Sequence, residues 1–184
     1  CNGSSINGMG YNAAISNSGD NINAFGYEAS IEQPGSNVNA MGYQSVTENT
    51  GSDINGLGYQ SAKGNTGTNL NALGYQAALD NTGSEVNAIG YLCAQSNTGS
   101  EVNAIGHGAA DSNTGSQINA IGFEAANGNL GQNVNAIGEE AAKLNQASKT
   151  DKFIAVAVGG GVGGGFIISD IEDIGTFGDW DFLD

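Results

Sequence analysis

The sequence predicts an all-β protein, a parallel β-solenoid of about nine coils with 16 residues in each coil. The first observation is an Asn-Ala/Gly-x-Gly motif whose Asn recurs every 16 residues. The second is a glycine column from Gly10 to Gly138 that keeps the same step. The third is another glycine column, from Gly19 to Gly131, with Asn or Gln two residues before each member. The motif asparagines are Asn7, Asn23, Asn39, Asn55, Asn71, Asn87, Asn103, Asn119 and Asn135.

The period argues against helices. Repeats made of helix pairs need about 33 residues or more, and two glycine columns interrupt each coil. We therefore predict two short strands and two turns per coil, with each residue about 4.8 Å from its counterpart in the next coil. Residues 81–90 and 97–106 are both NTGSEVNAIG, which is expected when equivalent positions share one environment.

The first strand contains the motif. In EVNAIGY, the strand period of two places Val86 and Ala88 on one face and Asn87, Ile89 and Tyr91 on the other. Both faces carry apolar residues, so we predict burial on both sides. For the Asn column we predict a buried ladder of stacked amides, with ligand binding by these amides as the alternative.

The second strand is predicted from paired small residues such as Ala77 and Ala78, which keep the interior thin. Between the strands, the Asn-Thr-Gly-Ser segment predicts a turn in which Gly supplies a positive φ.

A thin core leaves a large apolar stripe that needs cover. We predict that identical chains cover it in a symmetric homotrimer, so the expected partner is a second copy of the chain. The predicted oligomer-facing column is Met9, Phe25, Met41, Leu57, Leu73, Ile89, Ile105, Ile121 and Ile137.

The period stops after Asn145, which divides the chain into a solenoid, residues 1–145, and a C-terminal capping or assembly segment, residues 146–184. Residues 153–168, FIAVAVGGGVGGGFII, carry no charge. They are too few and too rich in glycine for a membrane-spanning helix. We predict a strand, a glycine-rich crossing and a second strand that cap the solenoid, with membrane insertion as the alternative.

The last residues alternate acids with apolar side chains. One interpretation is a solvated acidic tail, and another is a peptide that docks on a partner through Trp180, Phe182 and Leu183. Calcium needs six to eight oxygen ligands, and the acid spacing fits no standard calcium loop. We expect no cofactor, with calcium at this tail as the alternative.

The composition argues against several function classes. The chain has 19 acidic residues, four lysines and no arginine, a balance unsuited to nucleic acid or to an anionic membrane surface. The single histidine, His107, replaces a tyrosine in a regular column, and no catalytic or metal-binding cluster can be assembled around it. We predict that the protein is not an enzyme. Cys93 is interpreted as a small packed residue, and Cys1 as a cut end or a lipid-modified terminus.

The run V-N-A-I-G-Y-x-A-A, separated by Asn, Thr, Gly and Ser, resembles the head repeat of trimeric autotransporter adhesins and similar repeats of bacteriophage tail fibres. The resemblance covers residues 1–145. It implies a left-handed parallel β-roll, a rod-like homotrimer, and binding to host surfaces or matrix proteins outside the cell. The repeat here is longer than usual in that family and places Asn between Val and Ala.

The resulting expectation is an extracellular, cell-surface or virion fibre, a rigid trimeric rod that presents a host-binding or surface-binding region. The alternative is a filament subunit that stacks end to end. A further hypothesis, ice binding, comes from the hydroxyl column Thr50, Thr66, Thr82, Thr98 and Thr114.

Overall fold

The computed structural model describes residues 3–145, 153–157 and 165–169. Its strands form one sheet in which each strand neighbours the next along the chain. The strands are β1 (Ile6–Met9), β2 (Ile22–Phe25), β3 (Val38–Met41), β4 (Ile54–Leu57), β5 (Leu70–Leu73), β6 (Val86–Ile89), β7 (Val102–Ile105), β8 (Ile118–Ile121), β9 (Val134–Ile137), β10 (Phe153–Ala157) and β11 (Gly165–Ser169).

The strands β1 to β9 are parallel and in strict register, since Val86 pairs with Val102 and Asn87 with Asn103. Every pairing from β1 to β9 joins residues 16 apart. The nine strands therefore mark eight complete turns, and the residues described contain no helix. The predicted parallel β-solenoid with its 16-residue period is confirmed. Its handedness stays a prediction.

The core is a narrow stack of aliphatic and small side chains. The strands β2 to β9 bury their first and third residues, and in β6 these are Val86 and Ala88, both fully buried. Branched aliphatic residues favour pleated strands that are buried on one side. The strand therefore forms where the Val-Asn-Ala-Ile pattern recurs.

The second predicted strand is absent from the described coils, and the paired small residues lie in a turn segment instead. Neighbouring residues of a strand point to opposite faces, yet Ala77 and Ala78 are both fully buried. The backbone achieves this by placing alternate residues in the left-handed region, as at Gln76 (φ 50), Ala78 (φ 52) and Asp80 (φ 55). The chain curls around the core here because both members of each pair must face inward.

The glycine of the Asn-Thr-Gly-Ser segment also differs from the prediction. Positive φ values occur in the other glycine column, for example at Gly90 (φ 140), and not at Gly83. A Cβ on Gly83 would lie 1.8 Å from the carbonyl oxygen of Gly99. Glycine is required at this position because adjacent coils approach too closely for any side chain.

An interior amide ladder, separate from the motif asparagines, runs beside the glycine column that contains Gly83. The Asn81 side-chain amide donates to Oδ1 of Asn65 (2.8 Å) and to the carbonyl oxygen of Gly83 (2.7 Å). The ladder is fully or almost fully buried, and its members are Asn17, Gln33, Asn49, Asn65, Asn81, Asn97, Asn113 and Asn129. The sequence showed this column, but its role as a core hydrogen-bond ladder was not predicted.

Beyond the solenoid, β10 continues the sheet parallel to β9, and β11 returns antiparallel to β10. The glycine-rich crossing between them and the acidic tail lie outside the described residues. The two strands fall where strands were predicted, whereas their capping role and the domain division stay predictions.

Candidate functional site

The exposed side of β1–β9 and of the residues directly after each strand is the candidate site, and we call it the outer strand face. Three columns of side chains run along it: the motif asparagines, the predicted oligomer-facing apolar residues, and an aromatic column. In one coil these are Asn87, Ile89 and Tyr91, all exposed. The outward direction follows from strand alternation, because Val86 and Ala88 occupy the core.

The motif asparagines form a ladder on this face. The Asn71 amide donates to Oδ1 of Asn87 at 2.8 Å, and the same bond links each pair from Asn7 to Asn87 at 2.8–2.9 Å. Asn103 donates likewise to Asn119 at 3.1 Å. In the single chain the ladder lies in contact with solvent and outside the core, and its predicted burial stays a prediction.

The apolar column is exposed as well in the single chain, and its predicted burial between identical chains stays a prediction. Ile89 is 41% exposed, and Met41 and Leu73 have similar exposure. Ile121 is half-buried. Within a single chain nothing described lies over this column, because the coil interior takes up only one face of each strand.

The aromatic column is a continuous stack that runs from Tyr11 to Phe123. Its ring centroids are 4.8–5.1 Å apart, and the tyrosine rings are within 14° of parallel. His107 lies in this stack, 4.8 Å from the Tyr91 ring and 5.0 Å from the Phe123 ring. Ring spacing in this range suits offset stacking. The coil repeat therefore holds neighbouring rings at a distance at which they attract each other.

A further polar column flanks the aromatic rings and was not singled out from the sequence. The Gln44 amide donates to the Glu28 carboxylate at 2.8 Å, and Gln60 and Gln76 continue the chain of amide bonds. Glu28 raises the pKa of the neighbouring Tyr27 phenol, chiefly through its negative charge. In the sequence, this column is visible as a Tyr-Gln dipeptide that recurs every 16 residues.

The outer strand face carries almost no charge. From Asn7 to Phe123, its three columns contain only Asn, apolar and aromatic residues and His107. The first acid in these columns is Glu139, in the ninth coil. The chain as a whole has a formal net charge of -15. Apart from Glu139, the acids of residues 3–145 therefore lie outside these three columns.

Two ionisable side chains of the described residues, Cys93 and Asp111, are wholly or partly buried. Burial raises the pKa of the Cys93 thiol to about 12, and this thiol donates to the carbonyl oxygen of Ala104 at 3.1 Å. Burial also raises the pKa of the half-buried Asp111 carboxyl. Residues 3–145 contain no group of three or more metal-ligating side chains.

The hydroxyl column lies outside the outer strand face. Its threonines are exposed, and Ser84, two residues after Thr82, accepts the backbone N–H of Thr68 at 3.0 Å. Trp180, Phe182 and Leu183, the proposed calcium tail and Cys1 lie outside the described residues, and those predictions stay open.

Comparison of the chain with protein-family models, curated proteins and solved structures finds no match. Among the residues that the structure describes, no helix reaches the length and hydropathy needed to cross a membrane.

Proposed function

We propose that the protein is a structural fibre subunit, a rigid extracellular rod that assembles as a homotrimer through the outer strand face and presents a host-binding or surface-binding region. The observation that carries this proposal is the continuous exposed apolar and aromatic stripe along the coils. Parallel strands with an apolar outer face are normally covered on both sides.

The size of the stripe supports assembly. Its large side chains are about two fifths exposed, which leaves on the order of 80 Å² of each in water and roughly 1,300 Å² in total. Soluble monomers rarely expose contiguous apolar patches above about 300–600 Å², and a stable interface needs about 800 Å² from each partner.

The charge distribution supports the same partner. Two chains that each carry a net charge of -15 repel one another. Contact over the outer strand face brings together three columns that carry no acid before Glu139, so apolar burial is gained with little repulsion. Two copies of this acidic chain can therefore bind through this face with little electrostatic repulsion.

Native mass spectrometry and sedimentation test the assembly. We expect a species of three times the 18.5 kDa chain mass, and we expect Ile89→Asp with Ile105→Asp to convert it to monomer. The matched control is Thr82→Asp with Thr98→Asp, which adds the same charges in the same two coils on a different surface. This control should remain trimeric.

A monomeric wild-type chain, or an Ile89→Asp/Ile105→Asp variant that remains trimeric, would refute the proposed interface. Assemblies that lengthen with protein concentration would instead support the end-to-end filament subunit.

Attachment is tested separately. Beads coated with the protein should be retained on at least one cell-surface or matrix preparation more strongly than beads coated with an unrelated acidic protein. Equal retention on every preparation would contradict the adhesive part of the proposal and leave a purely structural rod.

A further inference from the structure

The tyrosines of the aromatic column form a ladder in which each ring lies against the ring of the next coil. The members are Tyr11, Tyr27, Tyr43, Tyr59, Tyr75 and Tyr91, which are all the tyrosines of the chain. Their neighbouring centroids are 4.9–5.1 Å apart. Each residue of the ladder is at least 41% exposed in the single chain, so the phenols lie at the surface, where a one-electron oxidant can meet them.

The spacing is fixed by the backbone and does not depend on chance encounters of the rings. The Gln76 N–H donates to the carbonyl oxygen of Tyr59 at 2.8 Å, and the Leu92 N–H, one coil further on, donates to the carbonyl oxygen of Tyr75 at 2.9 Å. Rigid placement of two reacting groups gives them a high effective concentration. Two tyrosyl radicals on neighbouring coils are therefore already in contact when they form.

Every inner ring of the ladder has a possible coupling partner on each side. Each of the four inner rings, such as Tyr59, has a tyrosine neighbour on both sides. A radical on any inner ring therefore always has an adjacent coupling partner, whichever of its two neighbours is oxidised next.

We propose that the tyrosine ladder is an oxidative modification site, at which peroxide-driven one-electron oxidation joins tyrosines of adjacent coils as dityrosine. A haem peroxidase with hydrogen peroxide is the oxidant. Two phenols each lose one hydrogen atom, and the two electrons and two protons reduce one peroxide to two waters. The radicals form one carbon–carbon bond between ring positions ortho to the oxygens. Each of these ring carbons then loses its proton, and each oxygen regains one.

The product covalently links two coils, so a rod with several such links resists local unfolding. Both tyrosines of a pair belong to the same chain, so the link does not require a second copy. Since the proposed trimer covers the outer strand face, the modification precedes assembly.

Two triple variants with equal numbers of tyrosines test the proposal. The separated variant, Tyr27→Phe with Tyr59→Phe and Tyr91→Phe, leaves three tyrosines with no tyrosine neighbour. The contiguous variant, Tyr11→Phe with Tyr27→Phe and Tyr43→Phe, leaves Tyr59, Tyr75 and Tyr91 adjacent. Phenylalanine preserves the ring stack, and circular dichroism verifies that both variants fold.

Each protein carries Ile89→Asp and Ile105→Asp, which are expected to keep it monomeric with the outer strand face uncovered, and is treated at low concentration with peroxidase and peroxide. Dityrosine fluorescence, chain mass and peptide mapping are then measured on the band that migrates as a single chain. We expect the chain with all six tyrosines and the contiguous variant to lose two hydrogen atoms per cross-link, with a Tyr59–Tyr75 or Tyr75–Tyr91 linked peptide. We expect at least tenfold less dityrosine in the separated variant.

Equal yields in the two triple variants, or dityrosine found only between chains, would overturn the proposal. Native mass spectrometry of the same samples before oxidation reports on the trimer independently, so failure of one proposal is not mistaken for failure of the other.

Discussion

Gly83 shows how a single position depends on the neighbouring coil. Its Cα lies so close to the next coil that an added Cβ would meet the Gly99 carbonyl oxygen at 1.8 Å. The obstructing atom is backbone, so it cannot rotate away as a side chain could.

We expect Gly83→Ala to lower the free energy of unfolding by about 3 kcal/mol, the upper end of the usual cost of overpacking. Urea unfolding measures the change. The adjacent Thr82→Ala serves as the control, because Thr82 is exposed and its loss should change stability by less than about 0.5 kcal/mol. Equal effects of the two substitutions would contradict the close approach of the coils.

Cys93 gives the fold a dependence on alkaline pH. Burial raises the pKa of this thiol from 9.0 to about 12. A raised folded-state pKa means that the stabilisation is complete below pH 9 and is lost as pH rises towards 12. Through that window, the thiol should reduce the free energy of unfolding by about 1.4 kcal/mol per pH unit.

The measurement is urea unfolding between pH 8 and pH 11, with Cys93→Ala as the reference. Alanine occupies the same position in neighbouring coils, at Ala77 and Ala109, so it fits the core without a titrating group. The wild type should lose stability more steeply than the variant above pH 9. If the free energies of unfolding of the two chains changed equally with pH, the core would not be excluding the thiolate.

At the scale of elements, the two amide ladders are chemically alike but differ in their surroundings. Asn81 is fully buried and takes part in bonds to Asn65, Gly83 and Asn97. Asn87 lies on the exposed outer strand face and accepts from Asn71. Water can replace a lost partner only in the second case.

We therefore expect Asn81→Ala to cost roughly 3 kcal/mol, because it leaves Asn65 and Asn97 with unmet hydrogen-bonding groups in the core. Asn87→Ala should cost less than about 1 kcal/mol. The two are compared by urea unfolding in the Ile89→Asp/Ile105→Asp background, in which the outer strand face is expected to be uncovered. A larger loss for Asn87→Ala would mean that the outer ladder, and not the inner one, holds the coils together.

The elements also show what the sequence could and could not predict. The constant spacing of Asn87 and its counterparts was sufficient for the period, the strand and its register, because stacking requires equivalent residues in equivalent places. The neighbouring pair Ala77 and Ala78 could have excluded the second strand, since both small residues must face inward. Leu92, with a φ of 52, could not have been anticipated, because leucine has no local preference for the left-handed region.

The outer strand face was predictable only in part. Its columns follow from strand alternation, but what covers Ile89 is decided between molecules and not within one chain. The flanking Gln44–Gln60 ladder was visible as a spacing, yet the hydrogen bonds along it depend on how the turn after the strand is oriented.

For the whole molecule, the length of the rod is set by the number of coils. Removing residues 81–96 deletes one complete coil and joins Asp80 to Asn97, which leaves every column continuous. We expect this deletion variant to fold and to be about 4.8 Å shorter in small-angle scattering.

Removing residues 82–96 instead shifts each later residue by one position. The coil at the junction then has 17 residues, and its core residues cannot all stay inward in register with the preceding coil, since a shift of one exchanges the two faces of a strand. We expect this variant to lose cooperative unfolding, as monitored by circular dichroism. Equal folding of the two deletion variants would contradict a strict 16-residue coil.

The equivalence of the coils has a consequence for heredity. A gene segment that encodes one coil can be duplicated or lost by recombination between neighbouring copies without disturbing the reading frame or the fold of the remainder. Such an exchange produces neighbouring coils with the same sequence, and residues 81–90 and 97–106 are identical. Lineages that carry this gene can therefore vary the reach of the protein in equal steps while the chemistry of its surface is inherited unchanged.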